Sequence, residues 1–277
     1  MTVLKNKQNT SALEYERNFM GLYDYMKNLI NGFPRRWQKP LGKPMKEDLN
    51  EIYDRITKIT DMYVEKEGPK VRYKLCEETI RALEDYAKWI YLYWILSEGR
   101  NGIKPAPVRK REFMAKMFNR EIYLLAGVMR FIDRKKRYGP ISVHYMKEFH
   151  PDDIKGVVFL EKLSELNSMV YPKSIRIPEA ERDEEMTLAC RLIRDAFYNA
   201  YEGNREQAFD KESYARRRRY LGAAISQLYR LNRPMLKMFM VHMFSNEDMT
   251  KITNLINDSL KLLQGLQEAD KERYGNL

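Results

Sequence analysis

Cysteine and histidine are scarce in this chain, with two Cys and three His among 277 residues. Cys76 and Cys190 stand far apart, and neither has a second thiol nearby. That excludes a disulfide framework and a thiolate metal site, and it fits a reducing compartment. His144 and His150 are six positions apart, not the four that would set two ligands on one helix face. His242 sits among Met238, Met240 and Met243, the setting of a residue packed beside a core. Gly (13) and Pro (11) are also few, which leaves room for long uninterrupted helices. The longest apolar run, Trp89–Leu96, is far short of the roughly 20 residues that cross a bilayer. The polar stretch Met1–Thr10 carries no apolar signal core. The expectation is a cytoplasmic protein with no membrane association.

Motifs that carry chemistry are missing as well. Gly99-Arg-Asn-Gly102 lacks the Lys-Ser/Thr and the preceding strand of a phosphate loop. The acid clusters Glu77/Glu78, Glu84/Asp85 and Glu184/Glu185 have no Glu-x-x-His partner and read as solvated faces. Some helical ribonucleases place Arg five positions before His. Here Gly139, Tyr145 and Lys237 occupy those positions before His144, His150 and His242. The chain reads as non-catalytic, with no cofactor and no metal.

What is present is helical periodicity. Leu13–Gly32 carries Phe19, Tyr23, Met26 and Ile30 on one side, and Phe33-Pro34 stops it. A basic loop follows with Arg35, Arg36, Trp37, Lys39 and Lys43; Trp37 could stack on a base or plug the underside of the loop. A second helix starts near Pro44 and ends at Gly68-Pro69. A third runs from Pro69 to Ser97, apolar nearly all round in its last turns. A fourth runs from Val108 to about Lys136, with Phe113, Met117, Leu124 and Val128 as its core stripe. Similar punctuation recurs about 140 residues later. Phe159–Met169 ends in Tyr171-Pro172, Arg182–Glu202 is stopped by Gly203, Tyr214–Phe244 follows, and Asp248–Ile252 lines up with Phe113–Met117. The fold class expected is all-α: two tandem antiparallel four-helix bundles. The first spans 11–136 and the second, a divergent repeat, 156–273; the linker 137–155 contains Gly139-Pro140, with room for one short strand or helical turn.

The formal net charge is +11 and is concentrated. Between Arg100 and Tyr138 twelve Lys and Arg face only Glu112, Glu121 and Asp133. Arg109, Lys110 and Arg111 open the fourth helix. Arg109, Lys116, Arg120, Arg130 and Arg134 fall within about 80° of arc at about 100° per residue. Such a row can follow a phosphate backbone. A second cluster, Arg216-Arg217-Arg218-Arg219, spans more than one turn and cannot all face one ligand; salt bridges between helices and nucleic-acid contacts are both open for it.

The order of these signals resembles the accessory variability determinant proteins of diversity-generating retroelements. The residues that carry the likeness are Phe33-Pro34-Arg35-Arg36, Leu41-Gly42, the helix Met45–Glu65, and Leu83, Ala87, Ile90 and Leu92. Arg219–Leu231, Ser245 and Ile252–Gly265 have the same look in the second half. The resemblance implies a four-helix bundle in a basic, barrel-like homo-oligomer that binds a reverse transcriptase and its RNA or DNA without being an enzyme. By position it makes Arg35, Arg36, Arg109, Lys116 and Arg120 nucleic-acid-facing, while this chain departs from the family in being two bundles long. The alternative from the residues alone is a structural or protein-interaction bundle with Trp89, Tyr93 and Trp94 as its oligomer contact.

Overall fold

The structure, a computed structural model, describes residues 14–64, 68–98, 103–104, 107–134, 137–139, 141, 143–146, 151–175 and 184–275. The expectations for Met1–Thr10, Gly99–Gly102, Lys135, Lys136, Pro140, His150 and Arg176 concern residues outside this set. The fold is all-α, and no strand occurs among the described residues. Eight long helices follow in order: α1 (Glu14–Asn31), α2 (Lys43–Val64), α3 (Pro69–Glu98), α4 (Val108–Ile132), α5 (Val158–Ile175), α6 (Glu184–Arg205), α7 (Lys211–Met240) and α8 (Asn246–Tyr274). Their lengths run 18, 22, 30 and 25 residues, then 18, 22, 30 and 29.

The chain divides into two compact units, Met1–Ile90 with Ala106–Phe149, and Tyr91–Pro105 with His150–Leu277. The division is not collinear with the sequence, because the apolar end of α3 belongs to the second unit. In the first unit α1 packs on α2 and α4. The interior holds Phe19, Leu22, Met26 and Ile30 of α1, Leu49, Ile52 and Ile56 of α2, and Leu83 and Tyr86 of α3. The ring of Tyr86 stacks on Phe118 of α4 at 5.6 Å between centroids. Cys76 is buried here, and burial pushes its thiol up to about 12.

The stretch 137–155, expected as a linker, is shared between the units. Tyr138 lies against Tyr73 at 5.0 Å, the His144 N–H donates to Glu84, and the Met146 carbonyl accepts from the Asn119 amide at 2.7 Å. These contacts bind 138–146 to the first unit. In the second unit a 3-10 turn, Pro151–Ile154, follows, and Asp153 accepts the Tyr201 hydroxyl at 2.7 Å.

In the second unit α5 touches α6, α6 touches α7, α7 touches α8, and α8 returns to α5. Helix α6 is buried nearly all round from Leu192 to Gly203, as an internal helix must be. Tyr91 covers part of it, lying 5.3 Å from the rings of both Tyr198 and Tyr201 and donating its hydroxyl to Glu202. Tyr93 and Trp94 are 2% and 0% exposed, which leaves these two rings no area for contact with another copy.

Two stop signals act differently from expectation. Pro172 lies inside α5, which runs on to Ile175 although the proline brings no N–H to the Ser168 carbonyl one turn back. Gly203 does not end α6 either. A Cβ there would come 2.8 Å from Leu221 Cδ2 and 3.3 Å from the Leu221 backbone nitrogen, so the glycine lets α6 and α7 approach closely. His242, expected beside the core, is exposed, with φ of 59°. Its N–H donates to Phe239, and Met243 N–H donates to Met238, which closes α7 with a left-handed cap.

Gly203→Ala is therefore expected to destabilise the protein by about 1–3 kcal/mol, since fully buried Leu221 has nowhere to move. Gly127→Ala, where an added Cβ meets nothing within 4 Å, should gain up to about 1 kcal/mol of helix propensity. Thermal melts of both variants decide this. A Gly203→Ala protein that melts at or above the parent would contradict the close-approach account.

Candidate nucleic-acid interface

Helix α4 starts after Pro107 and ends where Asp133 turns away from helical geometry. It stops short of the expected Lys136 because the Asp133 carboxylate accepts the N–H groups of Arg137 and Tyr138, which draws the chain into a turn. Its interior side consists of Met114, Phe118, Ile122, Leu125 and Met129, each at most 2% exposed. This corrects the expected core stripe. Phe113 is 48% exposed, and Met117, Leu124 and Val128 are only half-buried. The cationic row thus lies opposite the core rather than beside it.

Arg109, Lys110, Lys116, Arg120, Arg130 and Arg134 are all exposed. Arg120 pairs with Glu14 at 2.9 Å, an exposed contact of a kind worth well under about 1 kcal/mol and easily exchanged. Arg130 lies over the Tyr123 ring at 5.8 Å, and Arg134 lies over Phe131 at 4.6 Å. Arg111 departs from the expected set. About 200° round the helix from Arg109, it points to the core side and is 5% exposed, so it offers no charge to a ligand in solvent.

The acids of this segment weaken the positive field less than their number suggests. Glu121 is buried, and its Oε2 accepts from the Asn18 amide at 2.7 Å while Oε1 has no hydrogen-bond partner. Burial is the main cause that pushes its carboxyl up to about 8, against the smaller opposing effects of Asn18 and Arg120. At neutral pH Glu121 is mostly protonated and contributes little negative charge.

The turn between α1 and α2 is built to hold its cations outward. Residues 35–37 form a single helical turn and 38–42 a π-helical turn. Trp37 is 1% exposed and plugs the underside, so it is not a stacking surface. The Gln38 amide donates to the carbonyls of Ile30 and Phe33 at 2.8 and 3.0 Å, closing the end of α1. Gly42 leaves room for that amide, since a Cβ would meet Gln38 Oε1 at 2.8 Å. Arg35, Arg36, Lys39 and Lys43 emerge exposed.

The arginine run on α7 is largely structural. Arg216 pairs with Glu206 and Glu212 at 2.9 and 3.0 Å. Arg217 pairs with buried Asp270 and donates Nη1 to the carbonyls of Gly203 and Glu206. It ties the end of α6 to α8 and supplies donors to carbonyls that a helix end leaves without partners. Arg217 therefore leaves the set of nucleic-acid candidates, as does the greater part of Arg216. Arg219 is exposed.

Sequence reasoning missed Tyr123 and Phe131, 57% and 62% exposed on the same face as the cations. Their signal was available: they lie within about 80° of Arg109 on the same angular map. Among the described residues no group of three His, Cys, Asp or Glu is placed to hold a metal, and no helix is long and apolar enough to cross a membrane. Comparison with protein-family models, curated proteins and solved structures finds no match to this chain.

The buried carboxyl gives a pH dependence with a definite sign. The unfolded chain releases the Glu121 proton near 4.5 and the folded chain near 8. The folded state binds more protons between those values, so stability falls as pH rises through that window. Glu121→Gln should leave stability little changed at about pH 5 and raise the melting temperature at about pH 9. Equal effects at both ends would show that the carboxyl is not held protonated by the fold.

Proposed function

We propose that this chain is a non-catalytic nucleic-acid-binding accessory protein of a diversity-generating retroelement, acting with its reverse transcriptase. One observation carries the reading: α4 presents Arg109, Lys116, Arg120, Arg130 and Arg134 on the face opposite its buried side. A row of five cations on a rigid helix, outnumbering Glu112 on the same face and the Glu14 paired with Arg120, matches a polyanion, and its contacts fix backbone position rather than base sequence. The turn bearing Arg35, Arg36, Lys39 and Lys43 adds a second exposed cationic element in the same unit. We also propose that the chain is a tandem duplicate of one antiparallel four-helix unit. Support comes from the recurrence of helix lengths, 18, 22 and 30 residues in the first three positions of each half. The cyclic contacts of α5 to α8 also support this reading.

Nucleic-acid binding should weaken steeply with salt, because each neutralised phosphate releases a counterion. Reversing Arg109, Lys116 and Arg120 together to Glu is expected to lower affinity at least about 100-fold at low salt and to reduce the log K against log salt slope by about 2–3. The melting temperature should move little, since all three side chains are exposed. Fluorescence polarisation across a salt series reads both quantities. Binding by the triple variant equal to the parent's would remove α4 from the interface.

A further inference from the structure

We infer that the face of α4 takes a single-stranded polynucleotide, with Tyr123 and Phe131 as base-stacking platforms on either side of an open notch at Gly127. This rests on the proposed nucleic-acid reading and narrows it to one kind of strand.

Tyr123, Gly127 and Phe131 follow one another at intervals of four on the outward face, so each stands one turn above the last. The two rings are separated by about 12 Å of helix rise. Both are large apolar groups left more than half exposed, although the same helix buries five others completely or nearly so. Between them Gly127 supplies no side chain, and a Cβ there would meet nothing within 4 Å. Packing therefore does not require this glycine, which costs helix propensity relative to Ala. Its effect is to leave the helix surface bare between the two rings.

The cations complete the surface. Arg130 and Arg134 already lie on the rings of Tyr123 and Phe131, and Arg120 stands about two turns before the notch. Guanidinium planes and aromatic rings both stack on bases, and guanidinium groups also pair with phosphates. Bases of a single strand expose their π-faces, whereas those of a duplex are stacked on one another and closed to a ring on a convex helix. A duplex would use only the charges. A protein partner would use the rings but would not make binding depend on counterion release. The contacts invoked, base face and phosphate, are common to ribose and deoxyribose strands.

The test compares fluorescein-labelled oligo-uridine and oligo-thymidine of about 20 nucleotides with a duplex of equal length at one salt concentration. The proteins are the full chain and its Tyr123→Ala/Phe131→Ala, Gly127→Leu and Tyr123→Phe/Phe131→Tyr variants. The alanine pair is expected to lose at least about 10-fold in single-strand affinity with an unchanged salt slope and little change on duplex. Gly127→Leu, which fills the notch without removing charge or ring, should weaken single-strand binding while its melting temperature holds or rises. The ring-conserving pair should bind as the parent does. Equal losses on single strand and duplex, or none on either, would overturn the stacking assignment while leaving the charge-based reading intact. Loss of that reading has a different signature, namely unaltered binding by the Arg109, Lys116 and Arg120 reversal or no binding by the parent at low salt. Similar retention of oligo-uridine and oligo-thymidine by the parent supports the assignment, since base face and phosphate are common to both strands.

Discussion

Burial of Met114, Phe118, Ile122, Leu125 and Met129 sets the rotation of α4 about its axis, and the composition of its outer face follows from that. Each of these side chains contributes about 1.5–3 kcal/mol on leaving water. Repulsion among exposed cations one turn apart costs only a few tenths of a kcal/mol per pair. Burial therefore wins by an order of magnitude, and the helix can carry a one-signed stripe without loss of fold. Glu121 fits the same arrangement. It lies on the buried side, so a carboxyl that would have opposed the stripe is held mostly neutral beneath it.

The second unit spends its charge differently. Arg217 joins Asp270 with the carbonyls of Gly203 and Glu206, and Arg216 joins Glu206 with Glu212. Removing one member of a buried pair strands the other, which typically costs about 3–5 kcal/mol. Arg217 thus locks the end of α6 in place beside the Gly203–Leu221 contact, and the more exposed Arg216 pairs add less. Much of the positive charge here holds helices together, whereas on α4 it faces solvent. Two basic clusters that look alike in composition are therefore physically unlike.

The first four helices were legible from periodicity and the next three from recurrence of that plan, because apolar spacing of 3.6 survives in a sequence with few breakers; α8 was legible only as the short stretch Asp248–Ile252 that lines up with Phe113–Met117. The stop signals were less legible. Gly203 and Pro172 were read as local punctuation, but tertiary packing overrides local preference: Leu221 needs the missing Cβ at 203, and α5 continues through Pro172 to Ile175. The anchors within the expected linker, Glu84 to the His144 N–H and Asn119 to the Met146 carbonyl, were not legible because they leave no periodic trace. The membership of Tyr91–Pro105 in the second unit was invisible for a similar reason, since contacts distant in sequence decide it. On α4 the row Arg109, Lys116, Arg120, Arg130 and Arg134 is exposed as expected, but Arg111 is buried and the core stripe was drawn about a quarter to a third of a turn too near the row. Both Phe113 and Met114 satisfy helical spacing, and only the tertiary fold buries Met114 and leaves Phe113 half exposed.

The most direct measurement is photocrosslinking of a 4-thiouridine oligonucleotide to the intact protein, followed by mass spectrometry of the adducts. A single strand lying on the outer face of α4 predicts adducts on peptides carrying Tyr123 and Phe131, suppressed by excess unlabelled oligo-uridine. Adducts confined to α7, around Arg219 and Tyr229, or on peptides from the buried side of α4, would contradict that account.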